Sequence, residues 1–127
     1  MIDEDGSPYK NDKRSAFLPF VELPGRVSTP LELAIHLAGD KVEQEMLQKH
    51  GWRVREAHEV ASQPSQFRHY VQGSRGEFGC AKPAYVQLQT SWISDRTLCY
   101  LASGRPAIIQ NTGPQSPHCP KKQPYRF

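Results

Sequence analysis

The chain has 127 residues, enough for one domain with a modest hydrophobic core. Apolar residues make up 37% of it and charged residues 23%, which is typical of a folded, somewhat polar protein rather than a disordered one. The net charge is only +3 and basic residues are interleaved with acidic ones, so a nucleic-acid partner is not predicted.

The N-terminal residues 1–13 are polar and contain turn formers, which predicts a flexible lead-in. They lack the basic and apolar regions of a signal peptide, and no apolar run in the chain is long enough to span a bilayer. The odd number of cysteines, three, argues against a disulfide framework. A cytoplasmic location is therefore predicted. Residues 14–23 are more apolar, but Pro19 limits any helix there to a turn or two.

Residues 31–37 fit two structures. Their apolar side chains alternate as in a strand, whereas Thr29 and Pro30 before them are typical of a helix start. We predict a strand, because the helix that follows needs a strand before it.

That following helix is the clearest element of the sequence. Asp40 is in position to cap it, Glu43 occupies the capping-box position, and Gly51 follows the last turn. A short strand over residues 52–55 comes next. The apolar face of the helix is predicted to consist of Val42, Met46 and Leu47.

The second half of the chain repeats this cycle. Residues 62–73 are predicted to form a helix, 76–81 a short strand, and 83–91 an irregular segment. A third helix spans 94–103, and 106–109 read as an apolar strand buried on both faces. The side chains predicted to face the core from the third helix are Leu98, Cys99, Leu101 and Ala102.

This alternation predicts an α/β protein, with a partial Rossmann-like parallel sheet and crossover helices over residues 14–113. Residues 114–127 are rich in proline and lack an apolar pattern, which predicts a disordered tail. In an open parallel sheet, ligands bind beyond the carboxyl ends of the strands, where helices begin.

The start of the third helix is the best candidate for such a site. Its free amides and dipole favour an anion, Ser94 and Thr97 add hydroxyls, and Arg96 can hold a phosphate with its planar guanidinium. An ordinary capped helix with a surface arginine has the same residues and is the commoner case. Lys82 is suited either to reach a diphosphate or to remain solvated.

No metal is expected from the sequence. The five histidines and three cysteines show neither C-x-x-C nor H-x-x-x-H spacing. The glycine-rich signatures of dinucleotide sites, P-loops and nucleophile elbows are absent as well.

Three segments, residues 50–54, 73–83 and 91–106, resemble the C-terminal domain of GT-B glycosyltransferases, particularly the group similar to the spore-maturation protein CgeB. The similarity covers residues 17–113. Its most specific part is the pattern S-D-R-x-x-x-Y-L-A-S-G-x-P that begins at Ser94.

The resemblance implies half of a GT-B C-terminal domain that binds a nucleotide-sugar donor, without a cofactor, for transfer of a sugar to an acceptor hydroxyl. In that family the helix that begins at the position of Ser94 points at the donor diphosphate. The resemblance places phosphate or sugar contacts at Ser94, Asp95, Arg96 and Thr97, with Glu77 and Lys82 lining the cleft nearby. It assigns no catalytic residue and no metal ligand.

Two departures from the family are visible. Many GT-B enzymes carry a glutamate-x7-glutamate pair where this chain has Ser91 and Cys99. The acceptor domain is also missing, so the sequence predicts a truncated transferase fragment that is inactive alone. Its expected partners are a nucleotide sugar and the missing acceptor domain or another chain. Two alternatives stay open: a small non-enzymatic nucleotide-binding or interaction module of Rossmann type, and a degenerate product with exposed apolar surface.

Overall fold

The computed structural model describes residues 10–113, in which four short strands form two parallel pairs. Strand β1 (Glu32–Ile35) pairs with β2 (Arg53–Glu56), and β3 (Glu77–Gly79) pairs with β4 (Ala107–Ile109). The helices are α1 (Lys13–Phe17), α2 (Lys41–Lys49), α3 (Ala57–Ala61), α4 (Pro64–Gly73), α5 (Pro83–Gln87) and α6 (Asp95–Ala102). Two 3-10 turns occupy Leu18–Phe20 and Leu23–Arg26. These parallel pairs and helices confirm the predicted α/β class.

The described chain forms two compact units. Unit 1 consists of residues 10–18 and 74–113 and holds α1, β3, α5, α6 and β4. Unit 2 is Pro19–Gly73 and holds β1, α2, β2, α3 and α4. In each unit helices connect the two strands of the pair, as a parallel pairing requires. Within residues 10–113 the predicted parallel pairing is thus present as two two-stranded pairs, one in each unit.

In unit 2 the sequence-based expectations are confirmed for β1 and for both ends of α2. The alternating segment forms β1, so the strand was the correct choice for residues 31–37. The Asp40 carboxylate accepts a hydrogen bond from the Glu43 amide at 3.0 Å and so begins α2. Gly51 ends that helix with φ +90°, and the amide of Trp52 donates back to the Leu47 carbonyl at 3.2 Å. Local capping chemistry therefore determines both ends of α2.

The core of unit 2 contains aliphatic and aromatic side chains: Leu47, Trp52, Val60 and Val71 are all buried. The indole of Trp52 also donates a hydrogen bond to the Val21 carbonyl at 2.7 Å. The expectation that Val42 would join this core is wrong, because Val42 is 78% exposed. Val42 lies five residues before Leu47, which places the two side chains about 140° apart around the helix axis. Because Leu47 faces the core, Val42 faces away from it.

Helix α4 confirms the predicted helix over residues 62–73, with Pro64 in its first turn. The short helix α3 before it was not predicted. In unit 1 the irregular structure predicted for residues 83–91 is wrong for its first part, which forms α5. Pro83 occupies the first turn of α5, where its fixed φ and missing amide are tolerated.

Helix α6 has the predicted bounds, but it buries a different face from the one predicted. Leu98 and Leu101 are 54% and 46% exposed, and Cys99 and Ala102 are exposed too. The buried residues are Thr97 and Tyr100, which are three apart and share one side of the helix. Hydrophobicity alone predicted the wrong face because a threonine and a tyrosine make the contacts here.

Strand β4 is also less buried than expected. Ile108, the central residue of the strand, is 45% exposed, so the prediction of burial on both faces is wrong. The apolar strand is therefore only partly covered by the described residues.

The predicted lead-in and tail fall largely on residues 1–9 and 114–127, which lie outside the described residues. Where the description begins, Asp12 caps α1 by accepting from the Ser15 amide at 2.7 Å. That hydrogen bond lowers the pKa of the Asp12 carboxyl. No helix within residues 10–113 combines the length and apolar character needed to cross a membrane.

Candidate functional site

The start of α6 lies at the carboxyl ends of β3 and β4 in unit 1. Gly79 and Ile109, the last residues of the two strands, line one depression together with Ser94, Arg96 and Thr97. The depression has a volume of about 20 Å³. That is room for about one water molecule or one small polar group.

Ser94 begins α6 as its N-cap. The serine hydroxyl accepts a hydrogen bond from the Thr97 amide at 3.1 Å and lies 3.0 Å from the Thr97 hydroxyl. The two hydroxyls expected to contact a ligand thus contact each other. The amides of Asp95 and Arg96, in the first turn, have no carbonyl partner within the helix and keep their partial positive charge.

Arg96 and Glu77 form an ion pair in unit 1. The Arg96 Nε atom donates to Glu77 Oε1 at 2.6 Å. The arginine side chain is 47% exposed, whereas the glutamate side chain is only 3% exposed. The buried carboxylate therefore fixes the guanidinium through Nε. The terminal nitrogens of Arg96 have no partner among residues 10–113.

The second oxygen of Glu77, Oε2, is buried and accepts no hydrogen bond among the described residues. An unsatisfied buried carboxylate oxygen is unfavourable and is uncommon in folded proteins. Glu77 therefore retains an acceptor that a donor group from a ligand would satisfy.

The other two predicted site residues are less closely involved. Asp95 is exposed in the first turn of α6, where its negative charge favours the helix start but repels a phosphate. Lys82 is half-buried at the N-cap of α5 and does not line the depression. The structure thus brings together Glu77, Ser94, Arg96 and Thr97 of the six predicted residues.

Two further polar residues help to build the site and were missed by the sequence analysis. Thr112 is 2% exposed, and its hydroxyl donates to the Trp92 carbonyl at 2.8 Å. The Gln110 side chain accepts from the Ala81 amide at 3.1 Å, which fixes the chain after β3 to the chain after β4. No local signal marks either residue, because both lie next to a segment that resembles a tail.

Cys80 follows β3 and lines the same depression. Partial burial raises the pKa of its thiol, so the thiol is mainly protonated at neutral pH. Cys80 is therefore suited to packing rather than to nucleophilic chemistry.

Unit 2 contains a second group of ionisable side chains, again at the carboxyl ends of a parallel pair. His36 follows β1, Glu56 is the last residue of β2, and His58 lies in α3. One potential ligand atom from each residue lies within 4.8 Å of the other two. The His36 Nδ1 atom is 2.9 Å from Glu56 Oε1, and this hydrogen bond lowers the pKa of the Glu56 carboxyl.

This group was not predicted from the sequence, because its three residues do not follow the short spacing of the common metal-binding motifs. Glu56 and His58 are two residues apart, but His36 is twenty residues before Glu56. The usable signal was a histidine immediately after one strand and an acid at the end of the next.

Comparison of the chain with protein-family models, with curated proteins and with solved structures found no match. The chemistry of the α6 site follows from its own groups. It offers two free amides, a cation with open donors and a buried carboxylate oxygen, at the edge of a parallel pair. These groups suit a ligand that carries both a negative charge and hydroxyl donors.

Proposed function

We propose that the chain binds the diphosphate of a nucleotide sugar at the start of α6, as the donor-binding part of a GT-B-type glycosyltransferase with a Rossmann-like arrangement of strands and helices. The observation that carries this proposal is the position of Arg96 and the α6 amides beside the carboxyl ends of β3 and β4. Ligands of open parallel sheets bind at such edges.

The phosphate is held in two ways. The amides of Asp95 and Arg96 donate to it directly, with the helix dipole in the same direction. The terminal nitrogens of Arg96 donate to a second oxygen, and the bond from Nε to Glu77 keeps the guanidinium in place for this contact.

Glu77 has a second role in this proposal. Its Oε2 atom accepts from a hydroxyl of the donor sugar, which supplies the hydrogen bond that it otherwise lacks. The atom is buried, so side chains around it have to open locally to admit the hydroxyl, while the bond between Arg96 Nε and Glu77 Oε1 is kept. The carboxylate thus takes part of the sugar-binding role that the missing glutamate pair has in the family.

The size of the depression limits what it holds. About 20 Å³ accommodates one small polar group, so the base and most of the sugar lie on the surface outside it. Sugar transfer additionally needs an acceptor hydroxyl held against the donor. The side chains of this site are therefore assigned to donor binding, and none to the chemical step.

Titration of the full chain with UDP and GDP, followed by calorimetry and by the thermal midpoint, tests this function. We expect both diphosphates to bind and to raise the midpoint, and uridine and guanosine to do neither, because the diphosphate provides the main contacts. Arg96→Ala should weaken binding about tenfold or more, since it removes a charge-assisted hydrogen bond.

Arg75→Ala is the matched control, because Arg75 is an exposed arginine of the same unit that does not line the site. Glu77→Gln should weaken a nucleotide sugar more than the corresponding diphosphate. Absence of binding by either diphosphate, or equal losses in the two arginine variants, would contradict the proposal.

The same site is compatible with a non-enzymatic nucleotide-binding module of Rossmann type. The two functions differ in the fate of the donor. Sustained release of UDP from a UDP-sugar in the presence of an acceptor indicates a transferase, whereas tight binding without turnover indicates the module.

A further inference from the structure

His36, Glu56 and His58 are placed together by the backbone of unit 2. Ile35 and Glu56 are directly paired in the parallel register of β1 and β2. His36 is the next residue after Ile35, and His58 lies two residues after Glu56, in α3. Two strand ends and the helix that follows thus converge on one point.

We propose that these three side chains bind a divalent transition-metal ion such as Zn²⁺. Two imidazole nitrogens and one carboxylate oxygen form a ligand set that Zn²⁺ and its neighbours in the first transition row favour. Three protein ligands leave at least one coordination position open to water or to a further ligand.

The geometry is close to what the ion requires. A tetrahedral ion with bonds of about 2.0–2.2 Å keeps its ligand atoms about 3.3–3.6 Å apart. The three candidate atoms already lie within 4.8 Å of one another, and His36 Nδ1 and Glu56 Oε1 are 2.9 Å apart. The side chains of His36 and Glu56 are 57% and 39% exposed, which leaves them room to rotate toward an ion.

The surrounding contacts leave the ligand atoms available. His58 makes an edge contact with the His36 ring at 5.1 Å between centroids, and its ring nitrogens have no hydrogen-bond partner among residues 10–113. Arg55, the neighbouring cation on β2, points to the other face of the strand pair and lies beside Glu32 and Glu59 at 3.8 and 3.7 Å. It therefore does not neutralise Glu56.

This site is separate from the α6 site and does not rest on the function proposed for it. All its residues lie in unit 2, whereas the phosphate contacts lie in unit 1. The expectation that no metal binds was based on local spacing, which cannot detect a ligand contributed by a different strand.

Calorimetric titration of the untagged, EDTA-treated chain with Zn²⁺ tests the site, with Co²⁺ absorption as a report of ligand number and geometry. The full chain should carry His118→Ala and Cys119→Ser, because this adjacent pair near the C-terminus offers a competing ligand set. We expect one equivalent of Zn²⁺ to bind, and a Co²⁺ spectrum of four- or five-coordinate type.

His36→Ala, His58→Ala and Glu56→Gln should each weaken binding about tenfold or more. The matched control is His69→Ala, an exposed histidine of the same unit whose Nδ1 atom contacts the Ser65 carbonyl instead. Circular dichroism checks that each variant is folded. Failure of Zn²⁺ to bind at millimolar concentration, or equal losses in the His69 variant and the cluster variants, would overturn the proposal.

Discussion

The two units have the same local topology but stabilise it with different cores. Unit 2 buries Leu47, Trp52, Val60 and Val71, whereas the apolar core of unit 1 consists of alanines and Tyr100. All three buried polar or charged residues among residues 10–113, Glu77, Thr97 and Thr112, belong to unit 1. The unit with the weaker apolar core thus concentrates its polar contacts around the start of α6.

The two units also differ in how far the carboxylate of each candidate site is buried. In unit 1 the carboxylate of Glu77, the first residue of β3, is 3% exposed and pairs with an arginine. In unit 2 the carboxylate of Glu56, the last residue of β2, is 39% exposed and lies close to two histidines. Loss of a partner costs more free energy at the buried carboxylate than at the exposed one, because water solvates an exposed charge.

The largest expected effect contrasts the two tryptophans. Trp52→Ala should lower the free energy of unfolding by about 3–5 kcal/mol, because it empties a 96% buried site and removes the hydrogen bond to Val21. Trp92→Ala should cost only about 1–2 kcal/mol, since Trp92 is half-buried and mainly stacks on Tyr85 at 4.6 Å between centroids. Urea denaturation followed by far-ultraviolet circular dichroism measures both. Equal losses of unfolding free energy in the two variants would contradict the proposed difference between the apolar cores of the two units.

Removing one or the other partner of the Arg96–Glu77 ion pair should change the free energy of unfolding by different amounts, because only Glu77 is buried. Arg96→Ala leaves the Glu77 carboxylate buried without a partner and should cost about 2–3 kcal/mol. Glu77→Gln leaves a half-exposed arginine that water can solvate, and should cost about 1 kcal/mol or less. Urea midpoints of the two variants, with Arg75→Ala as the exposed control, decide this. A larger loss of unfolding free energy for Glu77→Gln than for Arg96→Ala would contradict the prediction that the unpaired buried carboxylate is the more costly group.

The smallest expected effect compares the glycines that end α2 and α6. Both have a positive φ, +90° at Gly51 and +70° at Gly104, so an alanine is strained at either. A Cβ atom at Gly51 would also lie 3.1 Å from Pro24 Cβ, whereas at Gly104 it would meet nothing within 4 Å. We expect Gly51→Ala to cost about 2 kcal/mol and Gly104→Ala about 1 kcal/mol. Equal thermal midpoints would show that Pro24 adjusts without cost.

Part of the site at the start of α6 could be predicted from the sequence. The sequence placed Ser94, Arg96 and Thr97 at a helix start near strand ends, because capping and strand alternation are local patterns. It did not show that Glu77 holds Arg96, or that Ser94 and Thr97 bond to each other. Those contacts depend on how β3 and α6 pack, which no local pattern records.

The ends of α2 and α6 were determined by the sequence alone, through Asp40 and Ser94 at their starts and Gly51 and Gly104 beyond their last turns. Capping uses only neighbouring residues, so a few positions are sufficient to specify it. The tertiary structure alone decided that α6 buries Thr97 rather than Leu98, and that His36 meets Glu56 and His58. Burial and long-range contacts are set by what lies opposite a side chain, and that partner can come from a distant part of the chain.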